Sequence, residues 1–167
     1  LNERLIPRSS TILIKEDLIN KRLNGHPRGE LIKLAKNKVR VPINRALQIG
    51  PPTSVILATC ISANGKPNII TLGMYMPISF KPPLVTIGVS PRRYSHKLIS
   101  ETREFIVNVP TKEFVKEVIY CGTVSGRDHD KFEETRLTPV SASLVKPPLI
   151  KECVSNLECK VRTSYEY

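Results

Sequence analysis

The sequence predicts a mainly β protein, folded as a closed antiparallel barrel with a few short helices. Short runs rich in β-branched residues alternate with turn signals from Pro52 onward. In this part of the chain only two or three stretches have helical spacing, and all are short. A G-x-G-x-x-G motif and a regular alternation of strands with helices are both absent from the sequence, which argues against a Rossmann domain.

The first predicted element is a hairpin. Residues 54–61 form a short apolar run, and residues 67–72 return as the partner strand. Asn64-Gly65 lies between them and favours a type I′ turn, because both central positions of that turn need positive φ. Residues 84–89 are predicted as another buried strand, entered through Pro82-Pro83.

A helix and a strand follow, and then a second helix. Residues 94–102 have helical spacing, and residues 105–109 alternate as a strand that stops at Pro110. Thr111 is the predicted N-cap of the next helix, with Glu113 placed favourably in its first turn. We expect that helix to run to about Tyr120 and to end at Gly122.

Short strands are predicted for residues 141–145 and 149–150, and a longer one for the end of the chain. That last segment alternates from Leu157 to Tyr167: residues 157, 159, 161, 165 and 167 face one way, and residues 158, 160, 162, 164 and 166 the other. The strand runs to the last residue without a turn signal, and the chain starts at Leu. We therefore expect a fragment or a C-terminally shortened form.

Residues 1–37 differ from the rest and are predicted to be a basic helical N-terminal extension ahead of a barrel at residues 38–167. Helical patterns at residues 15–23 and 30–38 are separated by a Gly- and Pro-containing turn. Residues 1–49 carry +7 of the net charge of +11. We favour a solvated lysine-rich helix over a nucleic-acid surface, because aromatic residues that could stack on bases are absent there.

Composition narrows the class of protein. A chain of 167 residues suits one domain with a proper core. No apolar window approaches the length of a membrane span, and no secretory signal begins the sequence, so we expect a cytoplasmic protein without a membrane partner. The four cysteines lack C-x-x-C spacing, which predicts reduced thiols and no metal site. Of these, Cys60 and Cys159 are predicted to be small buried hydrophobes.

Two polar stretches suit a bound phosphate. Residues 121–132 supply two glycines, the hydroxyls of Thr123 and Ser125, and the cations Arg127 and Lys131. Residues 90–96 supply two more arginines and two serines. For Arg127 a structural role is equally open, in which its guanidinium pairs with the neighbouring carboxylate of residue 128 or 130 to hold the loop.

In this order and spacing, the two stretches resemble the flavin reductase-like family of FMN-binding split barrels, in particular its flavoredoxin branch. The resemblance continues through residues 51–61, 65–71, 74–83, 105–111, 137–139 and 148–161, and so covers the chain from about Val39 to its end. It implies a Greek-key split β-barrel whose last strands are missing here. It also implies a homodimer with FMN near the interface.

The resemblance assigns positions as well. Thr71 and the backbone of Leu72, Gly73 and Met74 correspond to the flavin ring contacts; Gly73 replaces a serine common in relatives. The positions that correspond to the phosphate side are Ser90, Arg92, Tyr94, Ser95, Ser125 and Lys131. His129 is a candidate donor to nicotinamide or flavin; the alternative is an exposed loop histidine.

The activity implied by the resemblance is that of a flavin-dependent oxidoreductase. NAD(P)H would deliver hydride to FMN, and free flavin, ferric iron or a protein would accept the electrons. The alternative is an electron carrier that serves a protein partner without using nicotinamide. A third interpretation, binding of polyanions through the basic N-terminus alone, stays open as well.

Overall fold

The computed structural model describes residues 52–165, and the predicted mainly β architecture is confirmed. The predicted extension at residues 1–37, including both of its helices, lies outside the described residues. Across residues 52–165, no helix combines the length and apolar character needed to cross a bilayer.

The first two strands form the predicted hairpin, with β1 at Ile56–Ile61 and β2 at Pro67–Leu72. The predicted type I′ geometry is wrong, because only Gly65 in this turn has positive φ, at 88°. Five residues, 62–66, connect the strands, as the predicted bounds imply. Ser62 closes this wider loop, since its carbonyl accepts from Gly65 N and its hydroxyl oxygen accepts from Lys66 N, both at 2.9 Å.

Strands β3 (Tyr75–Phe80) and β4 (Pro83–Ile87) pair with each other in a separate two-stranded ribbon. The bounds of β4 lie within two residues of the strand predicted at residues 84–89, whereas β3 was not predicted. Pro77 interrupts the run of β3, and the register shifts between Pro77 and Ser79. Because proline cannot donate to a strand ladder, it obscures this strand in the sequence.

Helix α1 covers Tyr94–Thr102, as predicted, and is followed by β5 (Glu104–Val109). A 3-10 turn at Lys112–Phe114 precedes helix α2 (Val115–Thr123). Thr111 occupies the N-cap position of the 3-10 turn but makes no side-chain capping bond; its hydroxyl bonds to the carboxylate of Glu113. Gly122 lies inside the last turn of α2, so the predicted helix end is one residue short.

The remaining elements are helix α3 (Lys131–Thr135) and strands β6 (Pro139–Val140), β7 (Leu149–Ile150) and β8 (Ser155–Lys160). The prediction of a strand at residues 141–145 is wrong. The backbone N–H groups of Ser143, Leu144 and Val145 donate to the Glu158 carboxylate, at 2.5–3.2 Å, instead of pairing with a strand.

The end of the chain also differs from the prediction, because β8 stops at Lys160 and does not run on through the described residues. Arg103 holds the chain that follows: its carbonyl accepts from Val161 N at 2.8 Å, and its guanidinium donates to Val161 O at 3.2 Å. The predicted inward face is confirmed for residues 157, 159 and 161, which pack against the core.

The main sheet has the antiparallel order β2-β1-β5-β8 and is covered on both faces. Ile56, Ala58 and Cys60 of β1 pack on one face with residues of α1, while Leu57 packs on the other with residues of α2 and α3. Because both faces are buried, β1 is a continuous apolar run rather than an alternating one. Edge strand β2 therefore lies between helices on opposite faces.

Candidate functional site

A cavity of about 110 Å³ opens beside β2, where the start of α1 approaches the segment that connects α2 to α3. Three parts of the chain that are distant in sequence form its walls. Its lining residues are Ile70 from β2, Arg92, Arg93, Tyr94 and Ser95 around the start of α1, and Cys121, Gly122, Val124, Ser125, Gly126, Arg127 and Lys131.

Every charged side chain that lines this cavity within residues 52–165 is a cation. Arg92, Arg93 and Arg127 are exposed around it, and Lys131 is buried. The guanidinium of Arg127 lies 5.4 Å from the ring centroid of Tyr94, a cation–π geometry that links the two walls. Asp130, a predicted alternative partner of Arg127, instead lies 4.0 Å from Lys66 Nζ and caps α3. The cavity is therefore strongly electropositive.

Lys131 is only 4% exposed, and its Nζ donates to the carbonyl oxygens of Ile69 at 2.8 Å and Cys121 at 2.7 Å. An ammonium has three donors, so one remains for a group in the cavity. Burial lowers the pKa of Lys131, and repulsion from Arg93 adds to this effect. The structure thus holds a desolvated cation ready for an anionic partner.

Ser95 lies in the first turn of α1 and is 2% exposed. Its Oγ accepts a hydrogen bond from Asn68 Nδ2 at 2.8 Å. The sequence analysis did not identify Asn68, which is 3% exposed inside β2. The sequence contained one signal for it, a polar amide in an otherwise apolar strand. A buried amide requires hydrogen-bond partners, so such a residue indicates a polar contact inside the fold.

The loop between α2 and α3 folds around Ser125. The carbonyl oxygen of Ser125 accepts hydrogen bonds from the N–H groups of Asp128 and His129 at 3.1 Å, and the Ser125 Oγ accepts one from Arg127 N at 3.3 Å. Gly126 is buried against β2: a Cβ atom on this residue would lie 1.9 Å from Asn68 Oδ1. Only glycine lets the loop approach this closely.

The structure brings together five of the six predicted phosphate-side residues, namely Arg92, Tyr94, Ser95, Ser125 and Lys131, as lining residues of one cavity. Ser90 is not among the lining residues. It supports the turn before α1, where its carbonyl accepts from Arg93 N at 2.9 Å and its Oγ accepts from Arg92 N at 3.4 Å.

The four predicted ring-side residues continue β2 beyond the cavity. Thr71 donates its hydroxyl to Val118 O at 2.5 Å, and the side chain of Leu72 is in the core. Gly73 is half-buried, and Met74 is 71% exposed, with its carbonyl accepting from Gly88 N at 2.8 Å. Of these four residues, Leu72 is buried, Thr71 and Gly73 are half-buried, and Met74 is the most exposed.

His129 is not among the residues that line the cavity. Its Nδ1 lies 3.2 Å from both carboxylate oxygens of Glu134 and 3.3 Å from the Tyr120 hydroxyl, which also bonds to Glu134. The hydrogen bond from Tyr120, with a smaller contribution from His129, lowers the pKa of Glu134. This cluster links α2 to α3 on the outer side of the loop.

All four cysteines are free thiols in the structure. Cys60 and Cys121 are 0% and 1% exposed, and burial raises the pKa of each to about 11. Within residues 52–165, no group of three or more His, Cys, Asp or Glu side chains is placed to hold a metal ion.

The chain is similar to a known protein family and to two flavoredoxins of known structure. The model of the flavin reductase like domain matches residues 50–167. Flavoredoxin from Methanosarcina acetivorans superposes with a TM-score of 0.69 and 32% identity, over 78% of this chain and 67% of that one. Flavoredoxin of Desulfovibrio vulgaris gives a TM-score of 0.71 with 24% identity, over 79% and 69% of the two chains.

Two further proteins are similar to this chain. An uncharacterized protein of Archaeoglobus fulgidus is 46% identical over 101 residues, which span 60% of this chain and 57% of that protein. The chain thus matches less than two thirds of that relative. An NADH:FAD oxidoreductase of Streptomyces globisporus shares the fold, with a TM-score of 0.68 and 24% identity over 78% of each chain.

Proposed function

Because this chain belongs to the flavin reductase like domain family, which confirms the resemblance seen in its sequence, we propose that it binds FMN and acts as a flavin-dependent oxidoreductase. The cavity beside β2 carries the proposal. A buried lysine, three arginines and two serines meet there, and no acidic residue lines the cavity within residues 52–165.

The cavity fits the phosphate end of FMN. A flavin phosphate is close to a dianion at neutral pH and needs fixed cations and donors. Lys131 offers its remaining N–H, and Arg92 and Arg127 can each present a two-pronged guanidinium. Ser95 and Ser125 both accept hydrogen bonds from neighbouring protein N–H groups, which leaves their own protons for the ligand.

The flavin ring would lie outside this cavity. A volume of about 110 Å³ is well below that of a typical pocket for a whole cofactor, roughly 300–1,000 Å³. The adjoining surface runs from Thr71 to Met74, and so comprises the end of β2 and the two residues after it. Gly73 has no side chain to hinder approach to the backbone; the nearest atom to a Cβ there would be Thr53 Oγ1, at 3.4 Å.

FMN, when bound, supplies hydride acceptance and electron transfer. We propose NAD(P)H as the donor, and free flavin, ferric iron or a protein as the acceptor; the fold shared with an NADH:FAD oxidoreductase supports a nicotinamide donor. The second candidate is an electron carrier that serves a protein partner. The 32% identity to flavoredoxin from Methanosarcina acetivorans favours it.

A homodimer forms part of the proposal. Met74 and three side chains of β3, Met76, Ile78 and Phe80, are 54–89% exposed. Together they make an apolar surface next to the proposed ring position. Apolar surfaces of this kind mark interaction sites, and a second copy of the chain would cover both this surface and one side of the ring.

The test is a titration of the purified protein with FMN, followed by flavin absorbance. We expect near-stoichiometric binding, weakened about 10- to 100-fold by Lys131→Met, because a charge-assisted hydrogen bond is lost. Lys116→Met changes an exposed lysine of α2 that does not line the cavity and serves as the matched control. No binding by a folded sample would overturn the proposal.

Oxidation of NADH or NADPH by the loaded protein then separates the two candidate functions. Catalytic turnover with free flavin or ferric iron as acceptor supports the reductase. Tight FMN binding without nicotinamide oxidation supports the electron carrier.

A further inference from the structure

Asn68 occupies an unusual place in the fold. It lies within β2 between apolar neighbours, is 3% exposed, and does not line the cavity. Its amide nevertheless contacts residues of two cavity walls, Ser95 at the start of α1 and Gly126 in the loop before α3. A buried amide is costly unless it is hydrogen-bonded, so its presence in this strand calls for a function.

The direction of the bond to Ser95 determines what the serine can do. Asn68 Nδ2 donates to Ser95 Oγ at 2.8 Å. A hydroxyl has one proton and two lone pairs, so a serine that accepts from Asn68 keeps its own proton for another acceptor. The other close group is the Cys60 thiol, which hydrogen-bonds to both Asn68 and Ser95. Thiol sulfur is a weak acceptor and does not compete with an anionic oxygen.

We propose that Asn68 is a positioning residue for the anion cavity: its amide fixes the Ser95 hydroxyl as a donor to a bound phosphate, and its carbonyl seats Gly126. This inference rests on the proposed binding of FMN. It concerns the phosphate end alone, because the Asn68 side chain meets the cavity at Ser95 and Gly126.

The same segment of β2 places all three parts of the cavity. Asn68 holds Ser95 and abuts Gly126, and the next residue, Ile69, accepts the hydrogen bond of Lys131 at 2.8 Å. The third, Ile70, lines the cavity itself. Two consecutive residues of one strand, Asn68 and Ile69, thus set the position of the serine, the loop and the lysine. Asn68 does so through its side chain, and Ile69 through its carbonyl oxygen.

Asn68→Asp keeps the shape of the side chain but reverses the bond. A carboxylate has no proton to donate, so Ser95 must donate to it and can offer only lone pairs to an anion. Riboflavin, which lacks the phosphate, serves as the internal control for loss of structure. We expect Asn68→Asp to weaken FMN binding about 10- to 100-fold and riboflavin binding less than about threefold.

A double-mutant cycle separates this role from direct repulsion by the new charge. If Asn68 acts through Ser95, Asn68→Asp weakens FMN binding at least about fivefold less in a Ser95→Ala protein than in the parent. Equal losses in both proteins overturn the proposal. Equal losses of FMN and riboflavin also overturn it, because they indicate general damage to the fold.

A second variant covers the case in which the aspartate protein does not fold. Asn68→Ser is neutral and smaller, and it cannot reach Ser95. We expect it to weaken FMN about three- to tenfold with riboflavin unchanged, and to weaken FMN less in the Ser95→Ala protein, where only the contact with Gly126 is left to lose. An unchanged FMN affinity overturns the proposal for Asn68 alone. A wild-type protein that binds neither flavin overturns the proposed function as well.

Discussion

Lys131 Nζ donates to the carbonyl oxygen of Ile69 at 2.8 Å, across 62 residues of sequence. This bond joins the start of α3 to β2 and holds the ammonium at the cavity before any ligand arrives. Such preorganisation improves binding, because little side-chain freedom is left to lose. The price is a buried charge, and burial lowers the pKa of Lys131 from its usual value of 10.5.

The lowered pKa of Lys131 predicts a pH dependence of FMN binding. Only the protonated amine pairs with phosphate, so FMN affinity should fall as pH rises through a value below 10.5. Isothermal titration between pH 7 and 9.5 measures it, with riboflavin as a control that lacks the phosphate. Lys131→Met should bind FMN weakly with no such fall. A matching fall in riboflavin affinity would contradict the assignment.

Two glycines beside β2 should respond differently to alanine. Gly126→Ala places a Cβ 1.9 Å from Asn68 Oδ1, and we expect it to lower the free energy of unfolding by more than about 2 kcal/mol. Gly73→Ala meets its nearest atom at 3.4 Å and should be nearly neutral for stability, within about 1 kcal/mol. Urea unfolding measures both.

Gly73→Ala should instead affect binding. A methyl group at this position would stand between the backbone and the flavin ring, which FMN and riboflavin share. We expect the two affinities to fall by the same factor, in contrast to Asn68 and Lys131 variants, which change their ratio. Unchanged binding of both flavins would place the ring elsewhere.

Asn108 provides a second buried amide with a purely structural role. It is 0% exposed and donates to Leu57 O at 3.0 Å, while its Oδ1 accepts from Ile150 N at 3.1 Å and Asn156 Nδ2 at 2.7 Å. Asn108→Ala removes these three hydrogen bonds inside the core and should lower the free energy of unfolding by about 3 kcal/mol. The ratio of FMN to riboflavin affinity should not change; a changed ratio would link Asn108 to the cavity.

The thiols of the folded protein should react slowly. Burial raises the pKa of Cys60, Cys121 and Cys153 to about 11, so at pH 8 roughly one thiol in a thousand is ionised. We expect little reaction with a disulfide reagent in native buffer and four reactive thiols in denaturant. Glutathione at the same pH is the control. Rapid native labelling would show that these positions open readily.

Local signals were sufficient for several elements. The bounds of β2 and α1 coincide with the predicted residues 67–72 and 94–102. The first follows a turn containing Gly65 and begins at Pro67, and the second is followed by a residue of left-handed conformation, Arg103. Side-chain period and turn residues act over a few positions, so a single sequence contains what is needed to locate such segments.

Distant contacts account for what the sequence did not reveal. Residues 143–145 do not form the predicted strand, because their backbone N–H groups donate hydrogen bonds to the Glu158 carboxylate. The cavity residues were found by similarity of two motifs to a family, whereas Asn68 belongs to neither motif. The hydrogen bond from Asn68 to Ser95 joins residues 27 positions apart in the sequence. A local sequence pattern does not indicate which distant hydroxyl a buried amide will bond to.

The cavity forms where the start of α1 and the segment from α2 to α3 meet β2. This arrangement also has a consequence for how the protein folds. The hairpin of β1 and β2 involves neighbours in sequence and can form early, but the cavity exists only after α1 and the chain through α3 have closed onto that strand. A partly folded chain therefore has no complete phosphate site. Under the proposed function, uptake of FMN would report that these elements have closed onto β2, and by mass action FMN would draw the population toward the native topology.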